Sequence, residues 1–128
     1  MDPSYEIKSD YGRVLDFATE ALKRFATGTY AVWYPIIPRP EAHELPRRLK
    51  TLATKAGKGW LHATLTVKSS KVSSSQQGQK KRPGLPASGM FVLNPPYTLQ
   101  AQLKAALPQM VELLRQDSNA GFTLEGAG

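Results

Sequence analysis

The sequence predicts an α/β domain that reads as the second half of a larger one. Three observations carry that expectation. Stretches with apolar residues at three- and four-residue steps alternate with short stretches rich in β-branched and aromatic residues. The alternation yields only one or two strands of parallel type plus a terminal hairpin, a poor sheet by itself. A turn-forming acidic motif, Asp2-Pro3-Ser4-Tyr5, stands at the head of the chain before the first helix.

Composition sets the class. The chain has 128 residues, 41% hydrophobic and 21% charged, which suits one soluble globular domain with a small core. Cysteine is absent, so disulfides and thiolate metal sites are excluded, and with only His43 and His62 as imidazoles no metal is expected. The longest apolar run, residues 30–37, falls far short of the ~20 residues that span a bilayer. The polar, acidic start is not a signal peptide. The expected address is cytoplasmic, with no membrane partner. The net charge of +7 suits a polyanionic partner, nucleic acid first.

Each element follows from its pattern. Residues 9–25 place Val14, Phe17, Ala18, Ala21, Leu22 and Phe25 on one helical face. Ser9 or Asp10 can cap this helix, Lys23 and Arg24 suit its carboxyl-terminal dipole, and Gly28 terminates the turn that follows. Residues 29–37 lack strict alternation and predict a central strand buried on both faces of a parallel sheet. Pro35 cannot donate to a ladder, so pairing should stop near Tyr34. The carboxyl ends of strands in such sheets face the ligand crevice, which directs Trp33, Tyr34 and Pro35 toward a site. Residues 41–56 predict a second helix with Leu45, Leu49, Leu52 and Ala53 inward, interrupted or restarted at Pro46 and closed by Gly57 and Gly59. Residues 60–67 alternate, with Leu61, Ala63, Leu65 and Val67 on one face and His62, Thr64 and Thr66 on the other. Residues 68–88, rich in serine and glutamine and carrying Lys80-Lys81-Arg82, predict a flexible basic loop. Residues 89–93 form a short buried strand, the hairpin partner of 60–67. Residues 99–115 predict a helix with Leu99, Leu103, Ala106, Leu107, Met110 and Leu114 on one face, kinked or split at Pro108. Residues 121–124 add an edge strand, and 126–128 a frayed tail.

Asp2-Pro3-Ser4-Tyr5 resembles the D-P-P-Y motif of amino-group methyltransferases acting on adenine. The lone pair of adenine N6 is delocalised into the ring. A carboxylate and a following backbone carbonyl can accept both amine hydrogens and draw that lone pair toward an incoming methyl. Proline stiffens the turn, and the aromatic ring stacks on a flipped base. Asn94-Pro95-Pro96-Tyr97 is a second match that also follows a strand. It lacks the upstream strand and glycine-rich turn that a cofactor half requires, and reads as a strand-ending turn. Lys80, Lys81 and Arg82 could neutralise phosphates. His62 reads as a structural or exposed histidine.

Longer stretches carry a resemblance to a family. Asp2 to Tyr11, and then Lys23-Arg24-Phe25-Ala26-Thr27-Gly28-Thr29-Tyr30-Ala31-Val32-Trp33-Tyr34-Pro35, are similar to the RlmJ family of 23S ribosomal RNA adenine-N6 methyltransferases. That family carries D-P-P-Y-E, K-x-D-Y and K-R-F-A-T-G-T-Y-A-x-W-Y-P. Ala87-Ser88-Gly89-Met90, Asn94-Pro95-Pro96 and Leu107-Pro108 resemble its later segments, in collinear order. The resemblance implies a Rossmann-like S-adenosylmethionine-dependent fold, with 23S ribosomal RNA as partner and a monomeric full-length enzyme. Residues 1–125 would be the carboxyl-terminal part of one methyltransferase domain. By position, Asp2 would orient the target amine and border the cofactor, the Pro3 carbonyl would share the amine, and Tyr5 would stack on the adenine. Lys80, Lys81 and Arg82 are the candidate RNA contacts. Ser4 departs from the motif's second proline. The family's amino-terminal cofactor half is not found in these residues, so the segment alone is expected to be inactive. The alternative is a nonenzymatic basic RNA-binding remnant of that fold.

Overall fold

The computed structural model describes residues 9–68 and 86–127. Its elements are α1 (Ser9–Arg24), β1 (Tyr30–Pro35), α2 (Pro40–Lys55), β2 (Trp60–Thr66), β3 (Ala87–Leu93), α3 (Leu99–Leu114) and β4 (Gly121–Ala127). The α/β expectation holds. The strands form one sheet in the order β1-β3-β2-β4, and each neighbouring pair is antiparallel.

The expected hairpin of β2 with β3 is present, and β3 also carries β1 on its other edge. β1 and β2 therefore run parallel to each other with β3 between them. This corrects the reading of residues 29–37 as a central strand of a parallel sheet: among the described residues β1 lies at the sheet edge and pairs antiparallel. In β1, Val32, Tyr34 and Pro35 are buried, Trp33 is half-buried and Ala31 is exposed. Both faces of the strand carry apolar side chains, so a one-sided burial left no polar alternation to read. Pairing does end where proline predicts, with Pro35 opposite Ser88.

Helices α1 and α2 cover one face of the sheet. Val14, Ala18 and Leu22 of α1 and Ala42, Leu45, Leu49 and Ala53 of α2 pack with Val32, Tyr34, Trp60, Phe91 and Leu93. Pro40 opens α2, where its fixed φ costs nothing. Gly57 ends it in the left-handed region at φ 69°, with Lys58 N–H donating to the Ala53 carbonyl (2.9 Å) and Gly57 N–H to that of Thr54 (3.1 Å). That is a Schellman stop. α1 ends against a side chain. The Tyr30 hydroxyl lies 3.1 Å from the Ala21 carbonyl and 2.9 Å from that of Phe25. Gly28 is required beneath it, since a Cβ there would meet that hydroxyl at 2.7 Å. Much of the run around residues 24–30 thus serves to stop a helix and turn the chain into β1.

The opposite face is covered by α3, which packs on β4 and β2. Its inward stripe is narrower than expected. Leu107 and Val111 are buried, whereas Ala106, Met110 and Leu114 are exposed. Neither proline splits its helix. Pro46 and Pro108 lie inside continuous helices, where packing of Leu45 and Leu49, or of Leu107 and Val111, holds the element across one missing hydrogen bond. β4 extends through Gly126 and Ala127, opposite Leu61 and Trp60, so pairing reaches into the segment assigned to a tail. Gly128 lies outside the described residues.

Candidate functional site

Two ends of the sheet differ in character. At the carboxyl end of β1, Ile36 N–H donates to the Ala87 carbonyl (3.0 Å), and Val67 N–H donates to that of Pro86 (2.8 Å). The flanks of residues 69–85 are therefore pinned at this end. The start of α1 lies here too. Burial raises the pKa of the Tyr11 hydroxyl, opposed by the charge of Arg39 from the turn after β1 and reinforced by Glu41 and Asp10. Asp10 is buried, with Arg13 at 3.5 Å. Tyr11 thus lies within electrostatic reach of Arg39 and Glu41, while backbone bonds join Ile36 to Ala87 and Val67 to Pro86. The sequence-predicted site residues Asp2, Pro3 and Tyr5 lie outside the described residues, as do Lys80, Lys81 and Arg82. Asp10 stood in the sequence only as a possible cap; its burial arises from tertiary packing.

Trp33, Tyr34 and Pro35 do not all point toward that end. Tyr34 turns into the core and is 2% exposed. Burial pushes its pKa up to about 12, so its hydroxyl is a donor at neutral pH. It lies 2.5 Å from His62 Nε2. His62 is itself held below the usual imidazole range, chiefly by burial, with Glu125 pulling it up and Lys50 pushing it down. A neutral ring accepting at Nε2 carries its proton on Nδ1, which faces Glu125 Oε1 at 3.5 Å. Lys50 Nζ lies 3.5 Å from the same oxygen and 4.6 Å from the Trp60 ring centroid. This chain of contacts ties β1, β2, β4 and α2 together. It acts as a clasp across the sheet, in keeping with the structural reading of His62. The pairing itself depends on strand order, which composition does not reveal. Among the described residues, no group of three or more His, Cys, Asp or Glu could hold a metal ion.

The other end of the sheet carries a pocket of about 260 Å³, lined in part by Trp60, Asn94, Pro95, Pro96, Tyr97 and Gln100. Asn94 adopts φ 54°, which asparagine tolerates better than most residues. Its Nδ2 donates to the Gly28 carbonyl (3.1 Å), its carbonyl accepts from Thr29 Oγ1 (2.8 Å), and its N–H donates to the Gly59 carbonyl (2.8 Å). Asn94-Pro95-Pro96 is thus a turn that binds three loops together, as its reading beside the Asp2 motif expected.

The fold is that of an α/β domain, and its family can be stated. The chain belongs to the family described as ribosomal RNA large subunit methyltransferase D, RlmJ, whose model matches residues 1–125. It is 36% identical over 125 residues to the ribosomal RNA large subunit methyltransferase J of Haemophilus influenzae, covering 98% of this chain and 40% of that protein. To the protein of the same description from Escherichia coli K12 it is 37% identical over 108 residues, covering 84% of this chain and 34% of that one. The chain therefore spans about two-fifths, or less, of the length of these curated relatives. A crystal structure of a protein from Legionella pneumophila, strain Philadelphia 1, shares the fold. The match has a TM-score of 0.74 and 23% identity, over 97% of this chain and 41% of that one. No helix among the described residues is long and apolar enough to cross a membrane.

Proposed function

We propose that this chain is the carboxyl-terminal part of an S-adenosylmethionine-dependent methyltransferase that modifies N6 of an adenine in 23S ribosomal RNA. The observation that carries the proposal is the family match across residues 1–125, which includes the Asp2-Pro3-Ser4-Tyr5 motif. In this reading the sheet continues into a Rossmann-like arrangement supplied by the remaining length of the relatives. The Asp2 carboxylate and the Pro3 carbonyl accept the two amine hydrogens, aligning the N6 lone pair for in-line attack on the methyl group. Tyr5 stacks on the flipped base. S-adenosylmethionine supplies the electrophilic methyl, and Asp2 borders it. Lys80, Lys81 and Arg82 neutralise RNA phosphates. The protein works in the cytoplasm as a monomer.

Of this chain's residues only Asp2 is assigned to that cofactor site, so the chain alone is expected neither to hold S-adenosylmethionine tightly nor to transfer methyl. Methyl transfer to 23S ribosomal RNA fragments tests this when the chain is joined to the remaining length of its relatives. Asp2→Ala is expected to abolish N6 methylation while leaving the circular dichroism spectrum unchanged. Full activity in that variant removes Asp2 from its role. Tight calorimetric binding of S-adenosylmethionine to the 128-residue chain would refute the statement about the chain alone.

A further inference from the structure

We propose that the sheet end formed by the amino ends of β1 and β2 is a second RNA-contact surface, where an unpaired nucleobase stacks on Tyr97 over the pocket beside Trp60. The proposal rests on the ribosomal RNA reading above but concerns the end of the sheet opposite the one where α1 begins.

Tyr97 is 95% exposed at the rim of this pocket, on a turn that Asn94 fixes by three hydrogen bonds. An aromatic ring left in water on a rigid turn is a stacking platform prepared in advance. The pocket beneath it, about 260 Å³, is smaller than the roughly 300–1,000 Å³ typical of drug-sized ligands, and so suits a single ring rather than a whole cofactor. Asn94 and Gln100, both polar, are among its lining residues. Asn94 also ties this turn to the 25–29 turn, where Phe25 is 71% exposed, a second aromatic platform on the same end.

Charge selects a polyanion over an apolar peptide. Lys23 and Lys55 close α1 and α2 at this end, Lys58 precedes the pocket-lining Gly59, and Lys104 lies one helical turn beyond Gln100. None of the four forms a salt bridge with a described residue. The nearby acids are already engaged, Glu20 with Arg24 at 3.5 Å and Glu125 with Lys50 at 3.5 Å. Exposed aromatics set among uncompensated lysines are the pattern of single-strand binding, in which bases stack and phosphates are neutralised.

Fluorescence anisotropy with the 128-residue chain and a short labelled single-stranded RNA tests the surface. Tyr97→Ala is expected to weaken binding at least about 5-fold, the lower bound for losing one stacked base. Tyr97→Trp is expected to retain it. Lys58→Ala with Lys104→Ala is expected to flatten the salt dependence by about one to two phosphate contacts. Wild-type affinity in Tyr97→Ala overturns the proposal, as does absence of RNA binding by the unaltered chain. A proline-rich peptide that binds through Tyr97 while RNA does not would reassign the surface. Affinity that ignores Tyr97 leaves the Asp2-dependent methylation reading standing. Methylation that survives Asp2→Ala sinks that reading and leaves the Tyr97 result intact.

Discussion

His62 sits between a phenol and a carboxylate, and its protonation state is coupled to folding. Its folded pKa lies below the 6.5 of a free imidazole, mainly because burial disfavours the cation. Between the unfolded and folded pKa values the unfolded chain binds a proton that the folded chain refuses, so stability rises with pH in that window. The contribution is fully present above about 6.5, is lost as pH falls from there to the folded pKa, and is constant below it. Urea unfolding from neutral pH downward is expected to show this slope, and His62→Gln to remove it. An unchanged profile in His62→Gln assigns the slope elsewhere. Tyr34→Phe leaves the half-buried Nε2 without its donor and is expected to cost about 1–3 kcal/mol at neutral pH. The partnership has a steric condition as well. Tyr34 lies directly opposite Gly89, where any Cβ would collide with its ring. Neither relation could be read from residue types, because Tyr34, His62 and Gly89 meet only through the register of three strands.

At the scale of elements, the helices were legible wherever their apolar steps face a broad core. α1 and α2 bury most of the residues their periodicity selects, including Val14, Ala18, Leu22, Leu45, Leu49 and Ala53, whereas Phe17 and Phe25, on the face selected for residues 9–25, are exposed. α3 was legible in extent but not in orientation. Its sequence carries apolar residues around much of its circumference, so the stripe Leu107–Val111 is chosen by β2 and β4 rather than by periodicity. Leu107→Ala is therefore expected to lower unfolding free energy by about 2–5 kcal/mol, while Leu113→Ala, at an 83% exposed position, should change it by no more than about 0.5 kcal/mol. Equal effects in chemical denaturation would mean that α3 presents another face. The strands were located correctly from β-branched and aromatic content, and the β2–β3 hairpin was anticipated, but the antiparallel pairing of β1 was not. Antiparallel insertion of β3 between β1 and β2 leaves no local mark on any of the three. Pro46 and Pro108 do not break their helices for a related reason: a local penalty of one hydrogen bond is outweighed by packing that only the tertiary structure supplies.

The whole molecule is a two-sided sheet whose faces are closed by different parts of the chain. α1 and α2 close one face, α3 the other, and β4 covers the edge of β2. Membership of a ribosomal RNA methyltransferase family was legible in the collinear motifs, whereas the pocket beneath Tyr97 was not, since it joins β2, the 94–97 turn and β4. Removing residues 121–128 would expose a seven-residue ladder on β2, along with Leu61 and Ala63. Open strands of this kind recruit others, so the shortened chain is expected to self-associate in size-exclusion chromatography. A monomeric elution identical to that of the intact chain would refute the protective role of β4.

The position of β3 has a consequence for synthesis. β1 leaves the ribosome long before the strand that pairs with it, since Pro35 lies opposite Ser88. At 5–20 residues per second, the roughly fifty intervening residues take about 3–10 s to make. During that interval Val32 and Tyr34 lack their β3 neighbours, while α1 and, once it has emerged, α2 are available to pack on them. The β1–β3 ladder therefore cannot close before β3 has been made, and β4 emerges later still.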